Sequence, residues 1–78
     1  MMRFFFHVRD GDDYLEDRIG MELVDLLAAR KEAVRSAREI LAARVLSGEV
    51  LNGQIFEIAD ESGDVVAIIT FRSTIAII

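Results

Sequence analysis

The stretch DLLAARKEAVRSAREILAARVLSG, Asp25–Gly48, decides the fold. Setting its residues at roughly 100° intervals puts Leu26, Leu27, Ala29, Ala33, Val34, Ala37, Ile40, Leu41 and Val45 on one broad face. Lys31, Glu32, Arg35, Ser36, Arg38 and Glu39 take the other face. Asp25 offers an N-cap oxygen, the alanine-rich interior favours helix, and Ser47-Gly48 supplies a residue free to turn left-handed at the end. A long helix with a single apolar face needs a sheet to lie on.

Upstream, Arg3–Arg9 alternates, with Phe4, Phe6 and Val8 on one side and Arg3, Phe5, His7 and Arg9 on the other, the period of a strand. Asp10-Gly11-Asp12-Asp13 follows as a hairpin turn, and a second strand is expected over about Tyr14–Ile19. Downstream, an Asn52-Gly53 turn leads into an alternating strand over Gln54–Asp60. The loop Asp60-Glu61-Ser62-Gly63-Asp64 then leads into Val65–Phe71, a run apolar on both faces. The expected fold is α+β: two β-hairpins joined by one long helix (ββαββ), with the helix on one face of a four-stranded, mainly antiparallel sheet.

Strand order follows from which strands are apolar on both faces. If those are central, the first and fourth strands lie side by side and the second and third form the edges. Phe4, Phe6 and Val8 then meet the helix, and Phe5, His7, Ile55, Val66 and Ile68 form an apolar patch on the far face. Ile75 and Ile77 of the closing Ser73–Ile78 segment are expected to add to that candidate dimer surface by extending the fourth strand across a subunit edge, the alternative being a frayed, sticky terminus.

The bulk numbers agree with one small domain spanning residues 1–78. The chain has 78 residues, 53% of them hydrophobic and 29% charged, and no cysteine to staple it. Small chains without disulfide or metal commonly gain stability by association, so a homodimer is the expectation. A net charge of −5 opposes a phosphate-backbone partner. The opening residues lack the apolar region of a signal peptide and no run approaches the roughly 20 apolar residues of a membrane span, so a cytoplasmic location without membrane contact is expected.

The motifs Arg3-Phe4-Phe5-Phe6-His7-Val8-Arg9-Asp10-Gly11, Gly20-Met21-Glu22-Leu23, Asp25-Leu26-Leu27-Ala28-Ala29-Arg30 and Asp60-Glu61-Ser62-Gly63-Asp64 together resemble a family of short uncharacterised bacterial proteins, domain of unknown function family 6894. The resemblance covers nearly the whole chain. In that family a proline often precedes the helix-capping Asp, where Val24 stands here. It implies a shared fold and no activity.

Three groups of residues carry whatever chemistry the sequence offers. His7, Arg9, Asp10, Asp17 and Arg30 form a candidate polar cluster, read either as a ligand pocket or as a structural pair in which Arg30, placed inside the apolar helix face, docks on Asp10 or Asp17. Arg44 is expected to reach solvent at the helix end. Lys31, Arg35 and Arg38 make a basic stripe, flanked by Glu32 and Glu39 and without aromatics to stack bases, so nucleic-acid binding is disfavoured. The hairpin acids Asp10, Asp12, Asp13, Glu16 and Asp17 lack the order of a calcium loop, and with one His and no Cys no metal or other cofactor is implied. Nucleophile elbow, phosphate loop and dinucleotide fingerprint are all missing, which leans away from an enzyme. The first expectation is a non-enzymatic interaction or regulatory module acting as a homodimer, with a possible protein partner. Small-ligand or nucleotide binding is the alternative.

Overall fold

A computed structural model of the chain describes residues 1–49 and 53–75. In chain order it contains β1 (Met2–Asp10), β2 (Asp13–Leu15), β3 (Met21–Leu23), α1 (Leu26–Leu46), β4 (Ile55–Ala59) and β5 (Val65–Thr70), followed by a 3-10 turn at Phe71–Thr74. The fold is α+β, with one helix against a five-stranded sheet whose pairings are antiparallel. The lateral order is β2-β1-β4-β5, and β3 pairs with the other end of β1.

Two expectations about the sheet are corrected. The second strand is not continuous over Tyr14–Ile19: β2 stops at Leu15, Glu16–Gly20 leaves the ladder, and pairing resumes as β3. The break has a cause in Asp17, whose Oδ2 accepts the N–H of Phe6 at 3.1 Å in the middle of β1, where a strand carbonyl would otherwise sit. The second correction is the strand order. β4, not β5, lies beside β1, in the register Phe6↔Ile58 and Val8↔Phe56, and β5 is an edge. Beside β1, Glu57 meets the guanidinium of Arg9 as an ion pair, a partner that the uncharged β5 cannot offer.

Hairpin and helix ends form for the reasons read from sequence. Gly11 has φ 62° in the tight turn that sets Asp10 opposite Asp13. Asp25 caps α1 through a 2.9 Å bond from the Ala28 N–H. At the other end Gly48 is left-handed at φ 76°, while Glu49 N–H reaches Arg44 O and Gly48 N–H reaches Val45 O, which together use carbonyls the last turn leaves free.

The helix buries a narrower stripe than expected. Ala29, Ala33, Ala37 and Leu41, four apart, are buried, Val34 and Ile40 are half-buried at the flanks, and Leu27 and Val45 are exposed. Small residues on this ladder let the helix backbone approach the sheet, and Phe4, Phe56, Ile58 and Phe71 fill the space between. Phe56 and Phe71 pack with centroids 4.8 Å apart. No helix among the described residues is long and apolar enough to cross a membrane.

Candidate functional site

The sheet has two unlike faces. Phe4, Phe6 and Val8 lie toward α1, as expected. Phe5, His7 and Arg9 alternate onto the face without a helix, and the Gly11 turn sets Tyr14 opposite Arg9 there. The Phe5 and His7 rings are near-parallel at 6.4 Å, the Tyr14 ring is 5.6 Å from His7, and the Arg9 guanidinium lies 4.5 Å from the Tyr14 centroid. Ile55 and Ile68 continue this face across β4 and β5, and Ile68 is 56% exposed.

Of the candidate dimer surface, Phe5, Ile55 and Ile68 are thus on one face. Val66 is not: the register between β4 and β5 shifts beside Ala59, pairing Ala59 with Val65 and Ile58 with Ala67, so the extra residue Val66 packs against the core cluster. Ile75 is exposed just after the 3-10 turn, and Ile77 lies outside the described residues.

The candidate polar cluster does not converge on one pocket. His7 accepts the Asp17 N–H at Nδ1, 3.0 Å, which leaves the ring proton on Nε2. Asp17 is occupied by backbone: besides Phe6, it takes the N–H groups of Ile19 at 3.0 Å and Gly20 at 3.1 Å. Burial pushes its carboxyl up, but these backbone donors outweigh it and hold the group below its ordinary value. Asp10 faces the other way, toward the helix end.

There the pairing expected of Arg30 falls to Arg44, whose Nη2 is 3.2 Å from Asp10 Oδ2. The buried amide of Gln54 donates to the second oxygen at 2.9 Å. Gln54 first, and Arg44 after it, hold the Asp10 carboxyl below its ordinary value against the opposing effect of burial. The correction follows from direction. β1 and α1 run the same way, with antiparallel β3 between them, so the last turn of the helix meets the end of β1 and the first turn cannot. Arg30 stands one position past buried Ala29 and is exposed.

Arg30 joins a different group. With Lys31, Val34, Arg35 and Arg38 from α1 and Ile69 from β5 it lines a groove of about 430 Å³. Among the described residues, four cations rim an apolar floor of Val34 and Ile69 and no carboxylate lines it. Arg35 is held by Glu32 and Glu39, and Arg38 Nε donates to the Thr74 carbonyl at 2.6 Å. Arg30 and Lys31 have no hydrogen bond or ion pair with the described residues. The basic stripe is therefore one wall of a cleft between helix and edge strand.

β5 leaves its outer side unpaired among the described residues. The Phe71 N–H bonds Gln54 O across the end of the β4–β5 ladder, so by alternation Ile69 and Ala67 turn their backbone groups inward to β4. Ile68 and Thr70 turn theirs outward. Among the described residues no group of three or more His, Cys, Asp or Glu could hold a metal ion. Val34, Ile69 and Tyr14 were missed as surface-lining residues; only the register from the Gly11 turn, which sets Tyr14 against Arg9, was open to a reader of the sequence.

A family model described as "Domain of unknown function (DUF6894)" matches residues 3–72. No curated protein and no solved structure matches the chain.

Proposed function

The chain belongs to the DUF6894 family, and on that footing we propose that it is a non-enzymatic protein-interaction module working as a homodimer through its helix-free sheet face. The observation that carries this reading is Ile68, 56% exposed on a face shared with Phe5, Tyr14 and Ile55. Apolar side chains grouped on an uncovered sheet face are the mark of a surface that meets another. The principal extents, 37 × 26 × 16 Å, give that face room for the roughly 800 Å² per partner of a specific interface. A second copy presents the same patch, and a two-fold axis sets Arg9 and Glu57, already paired in each subunit, at the rim or centre without an unbalanced charge.

Sedimentation velocity over a wide concentration range tests the reading. The unaltered chain is expected to run as a dimer and Ile68→Lys as a monomer with unchanged circular dichroism. A monomer at the highest concentration of the unaltered chain would overturn the dimer.

A further inference from the structure

We propose that the groove between α1 and the free edge of β5 holds an extended acidic peptide segment, which joins the sheet as a further strand beside β5. The proposal rests on the interaction-module reading and names the class of partner. It leaves the helix-free face available for a second copy.

Three features of one place point to this occupant. The first is the backbone: Ile68 aims its N–H and C=O and Thr70 its N–H away from β4, while the Thr70 carbonyl accepts the Ser73 hydroxyl at 2.7 Å, and β5, Val65–Thr70, carries no charged residue to repel an added strand. The second is the wall. Arg30, Lys31, Arg35 and Arg38 set positive charge beside that edge on a protein whose net charge is −5, and Arg30 and Lys31 have no ionic partner among the described residues. The third is the floor, Val34 and Ile69, which suits an apolar side chain rather than a second charge.

The geometry sets a pattern for the peptide. Arg30 and Arg38 are eight positions apart, roughly 12 Å along a helix. An added strand turns every second side chain into the groove at about 6.6 Å spacing, so three successive groove-facing residues span the same length. The fitting order is acidic-x-apolar-x-acidic, with the apolar residue over Val34 and Ile69 and the acids at the Arg30–Lys31 and Arg35–Arg38 ends. Single-stranded nucleic acid fits less well: among the described residues no aromatic side chain lines the groove to stack a base, and a nucleic acid cannot use the outward backbone groups as a strand does.

Fluorescence anisotropy on the full chain tests this with a labelled peptide of sequence Glu-Thr-Val-Thr-Glu between neutral flanks, a version with the glutamates replaced by lysines, and a labelled oligouridylate. Two variants accompany the unaltered chain. Arg30→Glu/Lys31→Glu changes exposed side chains only. Thr70→Pro removes an outward N–H at a residue whose φ is already −76°, so the edge keeps its shape. The acidic peptide is expected to bind, the lysine version and the oligouridylate not, and each variant to weaken the acidic peptide by about tenfold or more. Undiminished binding of the acidic peptide by both variants, or preference for the oligouridylate, overturns the proposal. Loss in the charge-reversed variant with full binding to Thr70→Pro overturns the strand addition. Sedimentation of the same samples separates the two readings: a dimer that ignores the acidic peptide removes the groove assignment alone, and a monomer that binds it removes the dimer alone.

Discussion

The two sides of the sheet solve the same problem differently. Beyond β1, the edge is broken: β2 and β3 are three residues each, and between them a carboxylate, Asp17, stands in for the missing strand at Phe6. Beyond β4, the edge is β5, six residues long, uncharged and, among the described residues, unpaired on its outer side. Short strands, bends and inward-turned acids are how proteins stop a further strand from adding, and an uncharged edge invites one. Among the described residues the chain defends one side and leaves the other unpaired, which is why the proposed strand-type partner is assigned to β5.

The sharpest way to break the contrast is at Gly20, which returns the chain to β1 at φ 73°. A Cβ there would sit 2.9 Å from the Phe4 carbonyl oxygen and 2.9 Å from Arg3 Cγ. Gly20→Val joins a left-handed penalty to a backbone clash and is expected to cost upwards of about 3 kcal/mol in urea unfolding, or to prevent folding. Gly11→Val, with nothing within 4 Å of its Cβ, pays for the left-handed φ alone and should lose less.

Asp17→Ala comes next. It strands the N–H groups of Phe6, Ile19 and Gly20, and an expected loss of roughly 1–3 kcal/mol, read from the urea midpoint, measures how much the side chain substitutes for a strand. Fraying should be local, with the Phe6 amide losing hydrogen-exchange protection while Ile58 keeps it.

A smaller effect is set by pH. The Asp17 carboxyl is lower in the folded protein than its ordinary 3.8, so its contribution is complete above that value and is lost as pH falls below it, through the folded-state value. Asp10, Glu32 and Asp60 are lowered too and steepen the same acid limb. Asp17→Asn is therefore expected to flatten, not abolish, the fall in stability between pH 5 and about pH 2 in a urea series. Equal slopes for the two proteins would contradict the role given to Asp17. The least effect on stability belongs to the other side: Ile68→Lys, at an exposed position of β5, should stay within about 0.5 kcal/mol of the unaltered chain when both are unfolded at a dilution where each is monomeric, and any larger gap at high concentration measures the association.

How far the sequence speaks is clearest from these same residues. Asp25, Gly48 and Gly11 act within a few positions of themselves, so caps and turns could be read directly. Asp17 acts on Phe6, eleven residues away, and only the folded register brings them together. The β1–β4 neighbourhood was hidden because either order of the last two strands keeps the same alternation, and the pair that separates them, Arg9 with Glu57, is a long-range contact. Arg30 was misplaced because one broad face was drawn where the packed stripe is a single row, Ala29, Ala33, Ala37 and Leu41. The basic stripe was visible as three positions. That it borders an open strand was not.

Pairing β1 with β4 also sets an order of events in time. Arg9 and Glu57, which meet across the centre of the sheet, are 48 residues apart in sequence, and the whole helix lies between them. A chain leaving the ribosome presents Phe4, Phe5 and Phe6 well before the strand that pairs with them. Helix and hairpins can form early from local contacts, but the core cannot close until β4 has been made. Closure of the core therefore waits on β4, and until then the aromatic β1 is an apolar segment open to a chaperone.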